Sequence, residues 1–423
     1  MSHHDAIVIG AGPAGSTTAA LLAEKGHDVL VIEKETFPRY HVGESLMPFC
    51  WYTLDRLGLT DQMEDRAFIK KHSVQFVNQD GKQSRPFYFH QHYDHPSSTT
   101  WQVERAEFDD MIFRKAQANG ANTLEGTEVK EIIRDENGYV VGVKALHSDG
   151  TLQEHFGKVT IDCSGRDGFI TRKERLRNRD PELKKIAIWT YYEGAMRDEG
   201  IDEGNTTVAY IPNRGWFWYI PLKNDRVSVG VVADRDYLYR DNERGLEQIF
   251  AREIKENAWI EEHLSCGKQT GDYWVTGEYS YRSKYCAGNG YVLAGDAFAF
   301  LDPVFSSGVF LALKTGELAA DAVDLAIKAE NYSASQFKDY GKATCDAMER
   351  MRALVYAFYD EGFSFGKLIK ANPDLRPSLT DCLIGDLYDD KFDALFKAVA
   401  EIAEVPSLLD YGMHVEESAE VTA

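Results

Sequence analysis

The sequence predicts an α/β fold in which a parallel sheet is split along the chain, a strand-rich region is inserted into it, and a helical region follows. Three observations carry this. A glycine-rich turn joins a short apolar strand to a helix at the N-terminus. Apolar strands return near residues 160 and 291. Between them lie stretches that alternate apolar and polar residues, the period of half-buried strands.

Residues 6–9 form an apolar run suited to a buried parallel strand, and Gly10, Gly12 and Gly15 follow as G-x-G-x-x-G. Residues 16–26 carry helical apolar spacing and end on a glycine, and residues 29–32 are a second apolar strand closed by Glu33. This is a dinucleotide fingerprint. Gly10 permits the tight turn, Gly12 lets backbone approach a pyrophosphate, and Gly15 lets helix and strand pack closely. The helix N-terminus offers free N–H groups to phosphate. Glu33 stands where an acid accepts hydrogen bonds from ribose hydroxyls and repels a 2′-phosphate.

The segment PRYHVGESLMP at 38–48 is too polar for core and reads as a loop turning back over a ligand. A helix is expected over 46–59, a strand over 73–77, and a polar, aromatic sheet or loop between 80 and 100. Residues 102–118 read as an amphipathic helix with Arg105 near its start. Strands follow at 127–133, 140–146 and 159–162, the last leading into CSGRDG. Further strands are expected at 206–211, 226–232 and 291–294, a helix over 310–326, and mostly helix from 333 to 409. The second glycine cluster, GNGYVLAGD, has no helix after it, so one dinucleotide site is expected and no separate nicotinamide site. The expected divisions are a nucleotide-binding part at 1–75, 101–175 and 285–330, and a substrate-side sheet at 76–100 and 176–284. A helical region at 331–412 and a disordered acidic tail at 413–423 complete the chain.

A net charge of −21 supplies no basic field for nucleic acid or an anionic membrane surface. No apolar stretch is long enough to span a bilayer, and no signal segment precedes residue 6. The six cysteines are scattered without C-x-x-C, which points to reduced buried thiols and a cytoplasmic protein, with no metal site. His90, His92 and His95 read as a solvated loop, and Asp109 and Asp110 as a solvated helix face.

The fingerprint with Glu33, the DCSGRDG segment at 162–168 and GDA at 295–297 together resemble the FAD-dependent monooxygenase superfamily over roughly residues 5–325. Within it, W-F-W-Y-I-P (Trp216, Trp218, Ile220, Pro221), the PRYHVGESL loop, DPVFSSGV and Lys71 resemble the flavin-dependent halogenases. The resemblance implies a Rossmann-like FAD-binding domain of glutathione-reductase type with an inserted mixed β-sheet domain. It implies that reduced FAD, O2 and chloride or bromide give hypohalous acid, which halogenates an electron-rich aromatic substrate through Lys71. A separate flavin reductase would supply the reduced FAD. Residues expected to hold FAD are Gly10, Gly12, Ala14, Gly15, Glu33 and Lys34 around the fingerprint, with Arg39 and Ser45 in the loop. Arg105, Val129, Asp296, Pro303, Gly308 and Val309 complete the set. Halide is expected at backbone N–H groups of Ser307 and Gly308, before a helix whose dipole favours anions.

Lys71 would hold the oxidised halogen as a hydrogen-bond donor or as a haloamine; the second needs a free amine and a pKa lowered by desolvation. The plain alternative is a solvated lysine beside Lys70. The resemblance implies that Trp216 and Trp218 keep substrate from the flavin; by their spacing alone, two apart on a strand, they face one side, and the plain alternative is ordinary core. Tryptophan-specific members carry a glutamate where Phe305 stands here, which points to phenols, pyrroles or carrier-tethered acyl groups. Asp302 before Pro303 reads as a turn former. A hydroxylase of the same fold, a geranylgeranyl-reductase-like oxidoreductase and a non-catalytic flavin-binding protein remain open from the sequence.

Overall fold

The computed structural model describes residues 2–212, 215–277, 280–409 and 412. The tail at 413–423 lies outside the described residues.

Four parallel pairings build the first sheet. Ser2–Ile9 lies between Leu152–Asp162 and Val29–Ile32, with Tyr291–Leu293 beyond the former and Asn122–Leu124 beyond the latter. The strand expected at 159–162 is thus the end of an eleven-residue strand. Its first half instead pairs antiparallel with Val140–Leu146, and Glu128–Arg134 adds a third strand. Side chains alternate along these strands. Ala6, Val8, Val29 and Val31 face the helices Pro13–Glu24, Arg105–Ala118 and Ser307–Lys328. Ile7, Ile9, Leu30 and Ile32 face Val129, Val143 and Ala145 of the antiparallel layer.

The second sheet has seven strands in the order Lys268–Gly277, Lys185–Glu193, Arg226–Asp234, Gly215–Leu222, Thr206–Ile211, Ser73–Val77, Phe87–Tyr88. All pairings are antiparallel except that of Ser73–Val77 with Thr206–Ile211. The division expected between 75 and 76 falls inside Ser73–Val77, which pairs wholly within this sheet. Phe217, Tyr219, Val229 and Val231 pack on Leu246–Ile254 and Ala258–Leu264. Trp189, Tyr191, Trp216 and Trp218 take the opposite face.

Several elements begin elsewhere than the spacing suggests. The first helix starts at Pro13, whose missing N–H costs nothing at a helix N-terminus. The helix expected over 46–59 runs only Cys50–Arg56, after Pro48, and a separate short helix Thr60–Asp65 follows Gly58. The helix expected from 102 starts at Arg105, because Thr100–Gln102 is a strand paired with Ile69–Lys71. The helix expected over 310–326 spans Ser307–Lys328. The C-terminal region holds Lys338–Tyr359, Phe365–Ala371, Arg376–Ile384 and Asp393–Ala400. Five cysteines are buried and Cys266 is exposed.

His92 and His95 do not sit in a solvated loop. His92 Nε2 lies 2.6 Å from Asp381 Oδ1, and the His95 ring packs on Trp51 and Tyr52, so this segment is pinned to two helices; His90 is exposed.

Candidate active site

A cavity of about 630 Å³ lies where the two sheets meet. Drug-sized ligands occupy pockets of about 300–1,000 Å³. Its walls include Gly10, Gly12, Ala14, Glu33, Lys34 and Val129 on the parallel-sheet side, and Arg39, Ser45 and Arg105 around the loop. Asp296, Pro303, Gly308 and Val309 form another wall, and Trp216 and Trp218 close it from the second sheet. Gly15, Ser307 and Lys71 are the expected site residues that do not line it.

The glycine turn is sterically fixed. Gly10 has φ +92°, and a Cβ on it would stand 2.6 Å from Cys163 O. A Cβ on Gly15 would stand 1.9 Å from Gly10 O, so this glycine serves helix–strand contact inside the fold. No side chain caps the Pro13–Glu24 helix, leaving its first N–H groups for a ligand. Glu33 accepts from Ala11 N at 2.7 Å on one oxygen and from Glu35 N at 2.9 Å on the other. Each oxygen keeps a second lone pair for a ribose hydroxyl. Lys34 pairs with Asp167 at the rim.

Arg105 is held by the residue the sequence hides best. Asp109 is fully buried, not a solvated helix face, and its carboxylate accepts from Arg105 Nε and Nη2 at 2.7 and 2.9 Å and from Arg39 Nη1 at 3.1 Å. Burial pushes its pKa up, but the two guanidiniums outweigh it and hold the carboxyl below the usual range. The signal in the sequence is the i,i+4 spacing of Arg105 and Asp109. The other terminal nitrogen of Arg105, Nη1, donates to Val42 O at 2.8 Å and Gly43 O at 3.3 Å, fastening the loop that begins at Pro38. The other end of the loop is fastened to the second sheet. Trp189 Nε1 donates to Tyr40 Oη at 2.8 Å, and Tyr191 Oη donates to buried Glu44 at 2.6 Å.

Asp296 lines the cavity, and among the described residues nothing donates to its carboxylate. Burial raises its pKa to about 6 against the pull of Arg166, Arg105 and Arg177. An acceptor left without a donor beside a glycine-built turn and two uncapped helix starts is what a hydroxyl-rich dinucleotide completes, so these residues fit FAD. The second helix start is Ser307–Lys328, entered through Ser306 at φ +57° with no side-chain cap. Gly308 and Val309 face the cavity; the Ser307 side chain is buried away from it.

Lys71 is 2 % exposed, which removes the solvated alternative; Lys70, its neighbour, pairs with Glu64 at 2.7 Å on the surface. Lys71 Nζ donates to Ser45 Oγ at 2.9 Å and Leu46 O at 3.1 Å, and sits 5.8 Å from the Phe89 ring centre. Burial brings its pKa down to about 7. The amine is therefore one hydroxyl behind the cavity wall, because Ser45 lines the cavity.

Trp216 and Trp218 share a face, as two-residue spacing requires. Trp218 lies over Gly230, its cross-strand partner, where any Cβ would meet the indole at 2.2 Å; its Nε1 donates to Ser228 Oγ at 3.0 Å. Trp216 Nε1 donates to Tyr359 Oη at 2.8 Å, and Tyr359 Oη donates to Asp302 Oδ2 at 2.9 Å. Asp302 does form the expected turn, accepting from Val304 N at 3.1 Å, but it also anchors this buried chain. Burial raises its pKa to about 6, opposed by Tyr359, Val304 and Lys185. Tyr359 carries no sequence signal: it lies in a helix whose aromatic residues read equally as core.

The model of the tryptophan halogenase family matches residues 5–98 and 90–362. The chain is 33 % identical to the 1H-pyrrole-2-carbonyl-peptidyl-carrier-protein brominase of Pseudoalteromonas luteoviolacea over 91 % of this chain and 93 % of that one. It is 34 % identical to the tryptophan 2-halogenase of Chondromyces crocatus over 84 % of this chain and 67 % of that one. The solved flavin-dependent brominase Bmp2 superposes with a TM-score of 0.86 at 32 % identity, covering 95 % of this chain and 98 % of that chain. With this geometry and these relatives, the chain belongs to the flavin-dependent halogenases, oxidoreductases that use FAD, O2 and halide.

Proposed function

We propose that the chain halogenates an electron-rich aromatic acceptor of the pyrrole or phenol kind through the free amine of Lys71. Bound reduced FAD, with O2 and chloride or bromide, supplies hypohalous acid. The chain's residues do the rest. The fingerprint turn, Glu33 and Asp296 hold the dinucleotide, and Arg105, fixed by Asp109, positions the loop over it. Backbone N–H groups at the start of the Ser307–Lys328 helix favour the halide. Trp216 and Trp218 line the cavity, and in this reading they keep the acceptor from the ring system. Lys71 receives the halogen and presents it to the acceptor.

The observation that carries this reading is the buried Lys71 amine, unpaired with any carboxylate among the described residues, poised near pH 7 one hydroxyl from the cavity. A free amine is a nucleophile; an ion-paired ammonium is not. Support for the acceptor class comes from two relatives named for pyrrole-2-carbonyl carrier proteins and from Phe305 in place of a glutamate. Such an acceptor arrives on a carrier protein, and reduced FAD arrives from a separate reductase.

Lys71→Ala tests the reading. The variant binds FAD and forms hypohalous acid, detected with a small-molecule halogen trap, and yields no halogenated pyrrole or phenol. Ring halogenation at the wild-type rate removes Lys71 from the mechanism. Assaying carrier-loaded and free acceptors side by side reads the presentation.

A further inference from the structure

We propose that Ser45 and Thr206 form a two-hydroxyl relay through which the Lys71 ammonium discharges its proton into the cavity. The proposal rests on the Lys71 reading above and adds how the amine is freed.

The direction of the relay follows from donor and acceptor accounting. An ammonium only donates, so in the Lys71 Nζ–Ser45 Oγ bond the serine oxygen accepts and its own proton must point elsewhere. Thr206 Oγ1 stands 2.8 Å away. Gln102 Nε2 lies 2.9 Å from Gly204 O, an acceptor only, which fixes that amide with its nitrogen inward. The same nitrogen donates to Thr206 Oγ1 at 2.9 Å. With the Ser45 proton turned toward it, the arrangement the relay requires, Thr206 receives two donors, from Ser45 and Gln102. Its own proton is left without a protein acceptor among the described residues, and it lines the cavity. Both ends of the wire are polarised the same way, from the amine outward.

Among the described residues, Ser45 is the one side chain that accepts a hydrogen bond from Lys71. Its second partner, Leu46 O, is a carbonyl and passes no proton. The Phe89 ring centre stands 5.8 Å from Nζ, and the titratable group acting on the amine is the buried Cys50 thiol, itself pushed up to about 12 by burial and so held neutral. The step balances. A proton leaves Nζ for Ser45 Oγ as the serine proton moves to Thr206 Oγ1 and the threonine proton moves to cavity water. The Nζ lone pair then forms the N–halogen bond as the O–halogen bond of hypohalous acid breaks. The departing hydroxide takes a second amine proton as water.

The test uses two readouts. In flavin-free protein labelled with 15N-lysine, exchange of the Lys71 Nζ protons with water slows by roughly 10²-fold in Thr206→Val, the lower end for transfer by a positioned group, and recovers in Thr206→Ser. In the FAD-loaded enzyme, the same pair shows halogenated acceptor per trapped hypohalous acid falling and recovering. Ser45→Ala breaks the relay one step earlier and serves if Thr206→Val does not fold. Unchanged exchange in Thr206→Val overturns the relay. Wild-type halogenation by Lys71→Ala overturns the Lys71 reading alone and leaves the exchange result standing.

Discussion

The two sides of the cavity handle charge in opposite ways. On the dinucleotide side, Arg105 and Arg39 share Asp109, Arg39 also meets Glu35, and the Lys34 ammonium pairs with Asp167; the Asp296 carboxylate is the one exception described there, without a donor among the described residues. On the transfer side, Lys71 and Asp302 are buried without an ion partner in contact, and burial draws the pKa of each toward neutral pH. Paired charge gives rigid placement and a fixed protonation state. Unpaired buried charge costs stability and yields a group that changes protonation at working pH. On the proposed mechanism, the first side holds the dinucleotide and the second moves protons and halogen.

Three substitutions sharpen or break that contrast. The largest effect is expected at Lys71. Its pKa falls from 10.5 unfolded to about 7 folded, so the unfolded chain binds more protons between those values and stability rises across that window. Below pH 7 the cost is fully present, at about 1.4 kcal/mol for each tenfold loss of proton affinity. Lys71→Met therefore gains several kcal/mol over the wild type at pH 6–7, and that gain disappears as pH approaches 10.5. Urea unfolding of both proteins across the window checks it; a pH-independent difference would mean the amine is charged in the fold.

Next comes Asp109→Asn, which leaves two guanidiniums facing a neutral amide. The expected loss is about 3–5 kcal/mol, the cost of breaking a buried pair. It is accompanied by weaker FAD binding, read by flavin fluorescence, because Arg105 holds the loop at Val42. The Asp109 contribution is present above the ordinary carboxyl value of 3.8 and is lost as pH falls through the lower folded value, so the two proteins converge in acid. A loss under about 1 kcal/mol would put this pair with ordinary surface bridges.

The smallest effect is expected from Tyr359→Phe. The ring stays beneath the Lys185 ammonium, but Trp216 Nε1 and Asp302 each lose a partner, at about 1–3 kcal/mol. The informative readout is uncoupling: more hypohalous acid escapes to a trap per acceptor halogenated, because the Trp216 ring is no longer fixed. Equal falls in both would assign Tyr359 to stability alone.

The same contrast explains what is legible in the sequence. The dinucleotide side is local: Gly10, Gly12, Gly15 and Glu33 fall within one strand–helix–strand unit, and periodicity with turn chemistry finds it. Arg105 is visible as a residue, but Asp109, one of two adjacent acids on a polar helix, reads as solvated because its second partner, Arg39, lies on a distant loop. The transfer side is assembled from Ser45, Lys71, Thr206, Asp302 and Tyr359, none adjacent to another in the chain. Lys71 itself is singled out by resemblance; no spacing distinguishes it from Lys70. The hydroxyls and the tyrosine acquire meaning only through hydrogen bonds across elements. Helix and strand starts move by a few residues wherever a proline or a strand pairing intervenes, as at Pro13, Pro48 and Thr100–Gln102.

The loop from Arg39 to Leu46 touches both working halves at once: Arg39 meets Asp109, Glu44 meets Tyr191, Ser45 and Leu46 meet Lys71. Anyone redesigning this enzyme for a new acceptor inherits that coupling. Grafting a foreign segment here would retune the lysine and the dinucleotide grip in a single stroke, so diversification belongs on the far side of Trp216.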